Sequence, residues 1–449
     1  MPSVILYVLF FCSGISGLVY QVVWTRQFGN VFGNTIYSAS IVVSIFMLGL
    51  GLGSYVAGVW ADRHYERTSN ALLRAYGSVE LIIAFLGLAI SLLLPHLAAL
   101  VATMSSYAAD RSGWFELSPM SYVARGAIAA ALLLPITTLM GGTLTLLIRH
   151  RVREDVESAG AMKIAVLYTV NTAGAALGAF LTDFWLVPAA GLRITQLAAV
   201  VLNVIAGAGA YTLARRIPNR AAARKAKVAD TMHIVPPPVG AVRSTWWIGA
   251  ALMVSGFSAM GIEIVWLRHF EVLLGGFRAV FSLVLAVMLA AIAIGSMLGA
   301  GLNQRTARPA QALMLVQGAF VASVLLGLGM TSFSSSTNEQ SILWRSLRSI
   351  VLEIGLPSML MGCSFPLANA VVQHAETSVG RRAGGLYFAN TAGAVLGSLV
   401  AGYVLLPALG MQSAAAVLAI VAAFAIVPLA VAIRANAEAP TPAHGSAMA

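Results

Sequence analysis

Long apolar runs alternate along the chain with short polar segments. Each run is about 20 residues long, the length of a helix that crosses the hydrocarbon core of a membrane. Most charged side chains lie in the intervening segments. The pattern therefore predicts an all-α polytopic membrane protein. It predicts twelve membrane helices, near residues 4–27, 38–60, 73–99, 122–148, 163–187, 194–214, 245–267, 281–302, 310–331, 349–371, 385–406 and 412–433.

The apolar pattern occurs twice in the chain. Residues 13–28 return as residues 255–270, and the offset of 242 positions continues without a gap through the next predicted helix of each copy. A second block, residues 168–178, returns as residues 387–397. Because both copies contain six predicted helices in the same order and orientation, they are parallel repeats about an axis along the membrane normal. We expect a binding site between them.

A polar segment joins the two repeats. It carries many basic residues and three consecutive prolines, as expected of a linker beside the anionic inner surface of a membrane. The residues after the last apolar run have the composition of a disordered tail. The predicted organisation is an N-terminal six-helix repeat at 1–214, a linker at 215–244, a C-terminal six-helix repeat at 245–433 and a cytoplasmic tail at 434–449.

Composition excludes a water-soluble fold. Hydrophobic residues make up 59% of the 449 residues and charged residues make up 10%, whereas soluble domains contain about 25% charged residues. The net charge of +11 is carried mainly by predicted cytoplasmic loops, so the positive-inside rule explains it and places both termini in the cytoplasm. We expect a protein of the bacterial inner membrane, with no nucleic-acid partner. Its first apolar run lacks the features of a cleaved signal peptide.

The sequence contains no pattern for a metal, a cofactor or a catalytic group. Cys12 and Cys363 both lie in apolar runs, which gives no disulfide framework. The histidines and acids lack metal-ligand spacing, and there is no phosphate-binding loop or nucleophile motif. We therefore expect no metal, no cofactor and no enzymatic activity.

Five residues inside predicted helices are candidates for a solute or ion pathway. Gln21 and Trp24 lie on one face of the first helix, and the repeat places Glu263 and Trp266 on the same face of the seventh. A carboxylate is costly inside a membrane, so Glu263 and Glu80 must face protein or water. A structural hydrogen bond to a facing helix is the alternative role for Glu263, and the sequence leaves both open.

Two further acids lie near the predicted outer ends of helices. We expect Asp183 to extend its carboxylate towards the outer water. We expect Glu353 to be an interfacial charge rather than a ligand.

Glycines recur at a spacing that lets two membrane helices approach closely. The spacing occurs in four predicted helices, and it suits either static packing or a sliding contact between two moving halves. The residues concerned are Gly49, Gly53, Gly174, Gly178, Gly295, Gly299, Gly393 and Gly397.

The segment after the second predicted helix resembles the signature loop of the major facilitator superfamily. Gly58, Asp62, Arg63 and Arg67 have the spacing of that motif, with a Glu-Arg pair where the family has Gly-Arg. The resemblance implies two six-helix bundles and a contact between this loop and the start of the eleventh helix, near Asn390. The predicted gating residues are therefore Asp62, Arg63, Arg67 and Asn390. A solvated charged loop would explain the arginines but not the spacing from Gly58 to Asp62.

Several ordered motifs resemble the membrane portion of bacterial spermidine synthase-like membrane proteins. That family is often described as a major-facilitator-like domain fused to an aminopropyltransferase. The longest polar stretch, at 215–244, is too short to hold the synthase domain. The motifs are Tyr20-Gln21-Val22-Val23-Trp24 with Arg26, the run Gly49-x-Gly51-x-Gly53-Ser54 leading to Asp62, and Asn171-Thr172-x-Gly174 with Pro188 and Gly191.

Three functions fit these patterns. The first is a secondary transporter that moves a small solute or a proton by rocking its two halves, with a polyamine-like cation as one candidate solute. The second, implied by the resemblance, is a membrane anchor or partner subunit for an aminopropyltransferase on a separate chain. The third is a membrane scaffold that does not transport. The expected partners are the lipid bilayer and a small solute, a soluble enzyme or another membrane protein, and the fold alone does not choose among them.

Overall fold

The computed structural model consists almost entirely of membrane-length helices. It describes residues 2–33, 36–64, 70–104, 106–109, 113, 115–152, 160–216, 239–274, 278–306, 308–330, 339–373 and 378–437. The helices are α1 (Pro2–Phe32), α2 (Ile36–His64), α3 (Ala71–Met104), α4 (Pro119–Arg151), α5 (Gly160–Leu181), α6 (Val187–Arg216), α7 (Val239–Leu274), α8 (Arg278–Arg305), α9 (Pro309–Met330), α10 (Glu339–Val372), α11 (Val379–Val400), α12 (Leu406–Phe424) and α13 (Ile426–Ala437).

Four short elements complete the described fold. Five-residue π-helical turns follow α5 at Thr182–Leu186 and α11 at Ala401–Leu405. The strands β1 (Tyr107–Ala109) and β2 (Phe115–Leu117) form an antiparallel hairpin between α3 and α4. The π-helical turns occupy equivalent positions in the two repeats, so the duplication extends to local backbone geometry.

Twelve membrane crossings arise from ten long apolar segments within the described residues. Two of these segments contain 57 and 56 residues. A straight helix of that length would be about 85 Å long, far more than a hydrocarbon core of about 30 Å. Each long segment is interrupted by a glycine with a left-handed φ, 75° at Gly191 and 72° at Gly410, where the chain reverses. The all-α fold with about twelve helices is therefore confirmed.

The crossings form two parallel halves. Helices α1 to α6 form the N-terminal half and α7 to α13 form the C-terminal half. We call the side that holds Pro2 and Ala437 the terminal face, and the other side the opposite face. The main contacts between the halves are made by α2 along α11 and by α5 along α8.

Helical structure extends into both predicted polar segments. Helix α6 continues to Arg216 and α7 begins at Val239, so both ends of the predicted linker at 215–244 are helical. Residues 217–238 lie outside the described residues. Helix α13 reaches Ala437, inside the predicted tail at 434–449, and the rest of that tail also lies outside the described residues. The apolar pattern underestimated these helices because a helix can continue into polar sequence where no helix-breaking residue stops it.

The eight predicted packing glycines make their close contacts within the halves. A Cβ at Gly49 or Gly53 would overlap α4, and a Cβ at Gly174 or Gly178 would overlap α1. In the C-terminal half, Gly295 and Gly299 lie against α10, and Gly393 and Gly397 lie against α7. These positions therefore hold each half together, and a sliding contact between halves is wrong for them.

Different glycines lie where the halves meet. A Cβ at Gly58 of α2 would overlap the backbone of Gly380 in α11, and a Cβ at Gly384 would overlap the carbonyl oxygen of Ser54. The small-residue pattern in the sequence could not separate the two uses, because both need the same close backbone approach.

We expect Gly295→Ala to lower the thermal stability of the purified protein. Its new methyl group would overlap the carbonyl oxygen of Met359, and such overpacking costs about 1–3 kcal/mol. Gly301→Ala, six residues further along the same helix, is the matched control because nothing lies within 4 Å of its Cβ position. Thermal unfolding in detergent measures both variants. Equal melting temperatures for the two would show that the contact with α10 does not support the half.

Candidate functional site

A cavity of about 240 Å³ lies between the halves. Eight helices reach it from both repeats, namely α1, α2, α4, α5, α7, α8, α10 and α11, and Asn203 of α6 completes the lining. Hydroxyl and amide groups share its surface with leucine and methionine side chains. Among the described residues, Glu263 is the one charged side chain in this lining, which contains no lysine, arginine or histidine. The cavity therefore combines one acidic group with neutral polar groups and apolar surface.

Glu263 faces the cavity from α7. The residue is only 6% exposed, and no hydrogen bond or ion pair to its carboxylate occurs among the described contacts. Gln21, at the equivalent position in the first repeat, lines the cavity from α1 and is 5% exposed. These two residues of the predicted pathway therefore line the same cavity. The repeat supplies a neutral amide on one side and a carboxylate on the other.

Glu80 lies directly behind the cavity wall. It is fully buried in α3, where Ser13 donates its hydroxyl to Oε1 at 2.6 Å and Asn203 donates its amide to Oε2 at 2.6 Å. Ser13 and Asn203 both line the cavity. Glu80 is therefore hydrogen-bonded to two residues of the cavity lining without belonging to the lining itself.

The C-terminal half contains an equivalent arrangement that the sequence did not reveal. Ser255, the repeat of Ser13, donates its hydroxyl to Oε1 of Gln317 in α9 at 3.1 Å, and Nε2 of Gln317 donates to the carbonyl oxygen of Ala422 at 3.1 Å. Gln317 is thus the structural counterpart of Glu80. A search for polar residues in the third and ninth helices that follow Ser13 and Ser255 at similar distances would have found the pair.

The two tryptophans of the predicted pathway are not part of the cavity lining. Trp24 is fully buried in the N-terminal half, with its ring stacked on Tyr20 at 4.8 Å between centroids. Trp266 packs against two apolar clusters, one within the C-terminal half and one that residues of both halves form. The sequence predicted the shared helix face of Gln21 and Trp24, but it could not predict that the ring of Trp24 packs on Tyr20 within the N-terminal half.

Asp62 joins the halves at the terminal face. Its carboxylate accepts the backbone N–H of Gly380 at 3.0 Å and that of Arg381 at 2.7 Å, in the first turn of α11. Nε of Arg149, a fully buried residue of α4, lies 2.8 Å from Oδ1. Unpaired N–H groups and the positive end of the helix dipole both favour a carboxylate at this place. We call these bonds to Gly380 and Arg381 the terminal contact.

The other predicted gating residues lie elsewhere. Asn390 lines the central cavity, because α11 begins at Val379, six residues before the predicted start of that helix. The side chain of Arg63 is exposed beside Asp62, with no described partner. Arg67 lies outside the described residues. Asp62 is thus the one member of the set that contacts the start of α11 within the described part of the chain.

Asp183 joins the halves at the opposite face. Its side chain is fully buried, not extended towards water as the sequence suggested. Arg26 of α1 lies 2.6 Å from Oδ2, and Ser282 of α8 donates its hydroxyl to the same oxygen at 2.5 Å. Position in the helix could not reveal this role, because the two partners come from distant parts of the chain. We call the bond from Ser282 to Asp183 the opposite contact.

Further contacts connect the halves at the opposite face along α2. The hydroxyls of Ser44 and Ser398 lie 2.5 Å apart. The hydroxyl of Tyr403 donates to the carbonyl oxygen of Tyr37 at 3.3 Å, and the two rings lie 4.9 Å apart between centroids. Direct contacts between the halves therefore exist on both sides of the cavity.

The described residues contain no group of three or more His, Cys, Asp or Glu side chains that could hold a metal ion. Glu353, predicted as an interfacial charge, is partly exposed and lies 3.6 Å from Nε2 of His269.

Comparison with known proteins shows which fold this is. The chain matches no protein-family model and no curated protein. Its structure is similar to a bacterial homologue of the iron transporter ferroportin in the outward-facing state, with a TM-score of 0.60, 12% identity and coverage of 97% of this chain and 99% of that chain. It is also similar to the human organic anion transporter MFSD10, with a TM-score of 0.59, 14% identity and coverage of 95% and 98%.

A third similar structure is FucP, a Major Facilitator Superfamily transporter in the outward conformation, with a TM-score of 0.55, 16% identity and coverage of 98% of this chain and 99% of that chain. At such low identity these likenesses establish the fold alone. The chain is a multi-pass membrane protein with a major-facilitator-like fold. The comparisons contain nothing that supports a relationship to spermidine synthase-like membrane proteins.

Proposed function

We propose that this protein is a secondary transporter for a small cationic solute. The observation that carries the proposal is Glu263, a buried carboxylate without a described partner in a cavity whose described lining includes no basic residue. An unpaired charge inside a membrane protein is costly unless a ligand or a proton compensates it. A cation that replaces a proton at Glu263 would satisfy this requirement.

The contacts at the two faces support alternating access. The cavity lies between two halves that touch at both faces, so breaking one set of contacts at a time would expose it to one side at a time. We propose that the terminal contact, through Asp62, and the opposite contact, through Asp183, are the two gates. The helix ends at the terminal face carry most of the arginines, which favours a cytoplasmic terminal face in a bacterial inner membrane.

A polyamine-like solute is one form of this proposal. It would bring at least one more positive charge than Glu263 can neutralise, and the buried carboxylate of Glu80 behind the wall is the one further described acid near the cavity. A monoamine would need Glu263 alone. Binding of linear monoamines and polyamines therefore distinguishes these forms.

The resemblance of the sequence motifs leaves a second candidate function, a membrane partner for an aminopropyltransferase on a separate chain. A non-transporting scaffold is the third. Neither role needs an unpartnered carboxylate in a central cavity, so both predict that cavity substitutions leave function unchanged.

We expect Glu263→Gln to lower binding of radiolabelled linear amines to the protein in nanodiscs at least tenfold. The lost interaction is a hydrogen bond to a charged group, which contributes about 1.5–3 kcal/mol. The melting temperature should change little, because glutamine already occupies the equivalent buried position at residue 21. Uptake into proteoliposomes should fall in parallel.

Glu353→Gln is the matched control, since it removes an acid that lies outside the cavity lining. It should retain binding and uptake. Unchanged binding in Glu263→Gln together with lowered stability would return Glu263 to a structural role. Absence of amine binding by the parent protein would refute the cationic solute.

A further inference from the structure

In each half, a residue behind the cavity wall accepts a hydrogen bond from a serine of the lining and thereby orients its hydroxyl. Ser13 donates to Glu80, and Ser255 donates to Gln317. In the C-terminal half the direction is fixed, because Nε2 of Gln317 donates to a backbone carbonyl and leaves only its Oε1 to face Ser255. Glu80 accepts at both carboxylate oxygens. The group behind each serine therefore takes the hydroxyl hydrogen.

A serine hydroxyl has one hydrogen and two lone pairs. Once the hydrogen is committed behind the wall, the oxygen can offer only lone pairs to the cavity. Asn203, another residue of the lining, also donates its amide N–H₂ to Glu80 and so keeps this donor out of the cavity.

Other hydroxyls in the cavity lining also donate their hydrogen to groups outside the cavity. Ser16, Thr143 and Thr391 donate to backbone carbonyls of their own helices at 2.9, 2.7 and 2.9 Å. Such bonds to the preceding turn are the usual state of serine and threonine inside helices. The cavity therefore presents more acceptors than its residue types suggest.

The two serines and Glu263 lie at different heights in the cavity. Ser255 and Glu263 are eight residues apart on α7, which corresponds to about 12 Å along a helix. A solute whose ammonium group binds Glu263 therefore reaches the serines with its other end. Ser13 and Ser255 occupy equivalent positions in α1 and α7 and both line the cavity, so we place the far end of the solute at their oxygens.

We propose that the end of the solute that lies between Ser13 and Ser255 must donate a hydrogen bond, and that Glu80 and Gln317 are the positioning residues that impose this selection. This inference rests on the proposed transport of a cation and adds a second requirement to it. A solute end that can only accept hydrogen bonds would leave its own lone pairs and those of the serines buried and facing one another. This costs the desolvation free energy of the buried acceptors.

Two isomeric amines test the selection. Both 6-aminohexan-1-ol and 5-methoxypentylamine carry one primary ammonium group and have the same atomic composition, but only the first has a hydrogen-bond donor at its far end. Calorimetric titration of the parent protein in nanodiscs should give at least about tenfold tighter binding of the alcohol. In the Ser13→Ala/Ser255→Ala double variant both amines should still bind, and the preference should fall to less than about threefold.

The positioning role has its own readout. Glu80→Gln should keep the preference, because glutamine oriented like Gln317 still accepts the hydroxyl of Ser13. Glu80→Leu should reduce it, because the hydroxyl of Ser13 becomes free to donate into the cavity. If Glu80 were purely structural, Glu80→Leu would lower the stability of the protein without changing the ratio of its affinities for the two amines.

The outcomes separate this inference from the proposed function. Equal binding of both isomers, abolished by Glu263→Gln, would overturn the donor selection and leave the cation site standing. A preference that survives in the double serine variant would also overturn it. Failure of both isomers to bind the parent protein would refute the cation site and this inference together, and tighter binding of the methoxy isomer than of the alcohol would overturn the donor selection alone.

Discussion

Replacing Asp62 by asparagine should open the terminal face of the protein. Asp62 is the residue of α2 that accepts two backbone N–H groups from the start of α11, and these bonds exist only while the halves touch there. Loss of the charge weakens hydrogen bonds worth about 1.5–3 kcal/mol, which corresponds to a change of about ten- to hundredfold in the ratio of open to closed forms.

Cysteine labelling measures this ratio at both faces. In a background with Cys12 and Cys363 replaced, single cysteines at Ser54 and Ser44 report on the two ends of α2, since both positions are buried near α11. Asp62→Asn should raise labelling at position 54 and lower it at position 44.

Two variants control this experiment. Arg63→Gln removes the neighbouring exposed charge and should leave labelling unchanged. Asp62→Asn also breaks the ion pair with the buried Arg149, which lowers the stability of the N-terminal half as well. Gly58→Leu avoids that problem, because it keeps the ion pair and blocks the approach of Gly380 directly. Parental labelling at position 54 in both Asp62→Asn and Gly58→Leu would refute a gating role for the terminal contact.

Duplication made the architecture predictable from the sequence. Apolar runs indicated the number of crossings, and the offset of 242 between the repeats was enough to pair Gln21 with Glu263. Both features are local, because they depend on helix length and on residues within one helix. The contact of Asp62 with the start of α11 was expected from the resemblance of this loop to the signature loop of the major facilitator superfamily, and the structure places Asp62 there.

Contacts between distant helices were not predictable in the same way. Glu80 and Gln317 are equivalent in space but follow their serines by 67 and 62 residues, so the ungapped repeat does not align them. The connection from α2 to α3 is longer than that from α8 to α9, which shifts the register. Asp183 has no acidic counterpart in the second repeat, where Gly402 stands, and its partners could be found only from the packing of the halves.

The carboxylates at the two faces break the symmetry of the duplication. At the terminal face the acid is Asp62, between α2 and α11, and its repeat position holds Gln304. At the opposite face the acid is Asp183, between α5 and α8. Among the described residues, each face therefore has one charged contact between the halves, and the two lie on different helix pairs. This arrangement would let the halves separate at one face while the charged contact at the other face stays formed.

Weakening the opposite contact should shift the equilibrium towards the form that is open at the opposite face, the reverse of the shift expected for Asp62→Asn. Ser282→Ala removes the hydrogen bond from α8 to Asp183 but keeps the ion pair of Asp183 with Arg26, so no buried charge is left unpaired. A hydrogen bond to a charged group contributes about 1.5–3 kcal/mol. We expect labelling at position 44 to rise about tenfold relative to labelling at position 54.

The neighbouring contacts of α2 allow a graded version of this experiment. Tyr403→Phe removes only the neutral bond to the carbonyl oxygen of Tyr37, at 3.3 Å, and should produce a smaller shift in the same direction. Ser323→Ala is the control, because it removes a buried hydroxyl whose described bond stays within α9.

Combining changes at both faces gives the sharpest result. If the two contacts oppose each other in one equilibrium, Ser282→Ala added to Asp62→Asn should restore a labelling ratio between positions 44 and 54 close to that of the parent, because the two free-energy changes have opposite signs. Independent local loosening would instead raise labelling at both positions in the double variant. That second outcome would show that the halves do not move as rigid bodies, and it would remove the support that the two contacts give to alternating access.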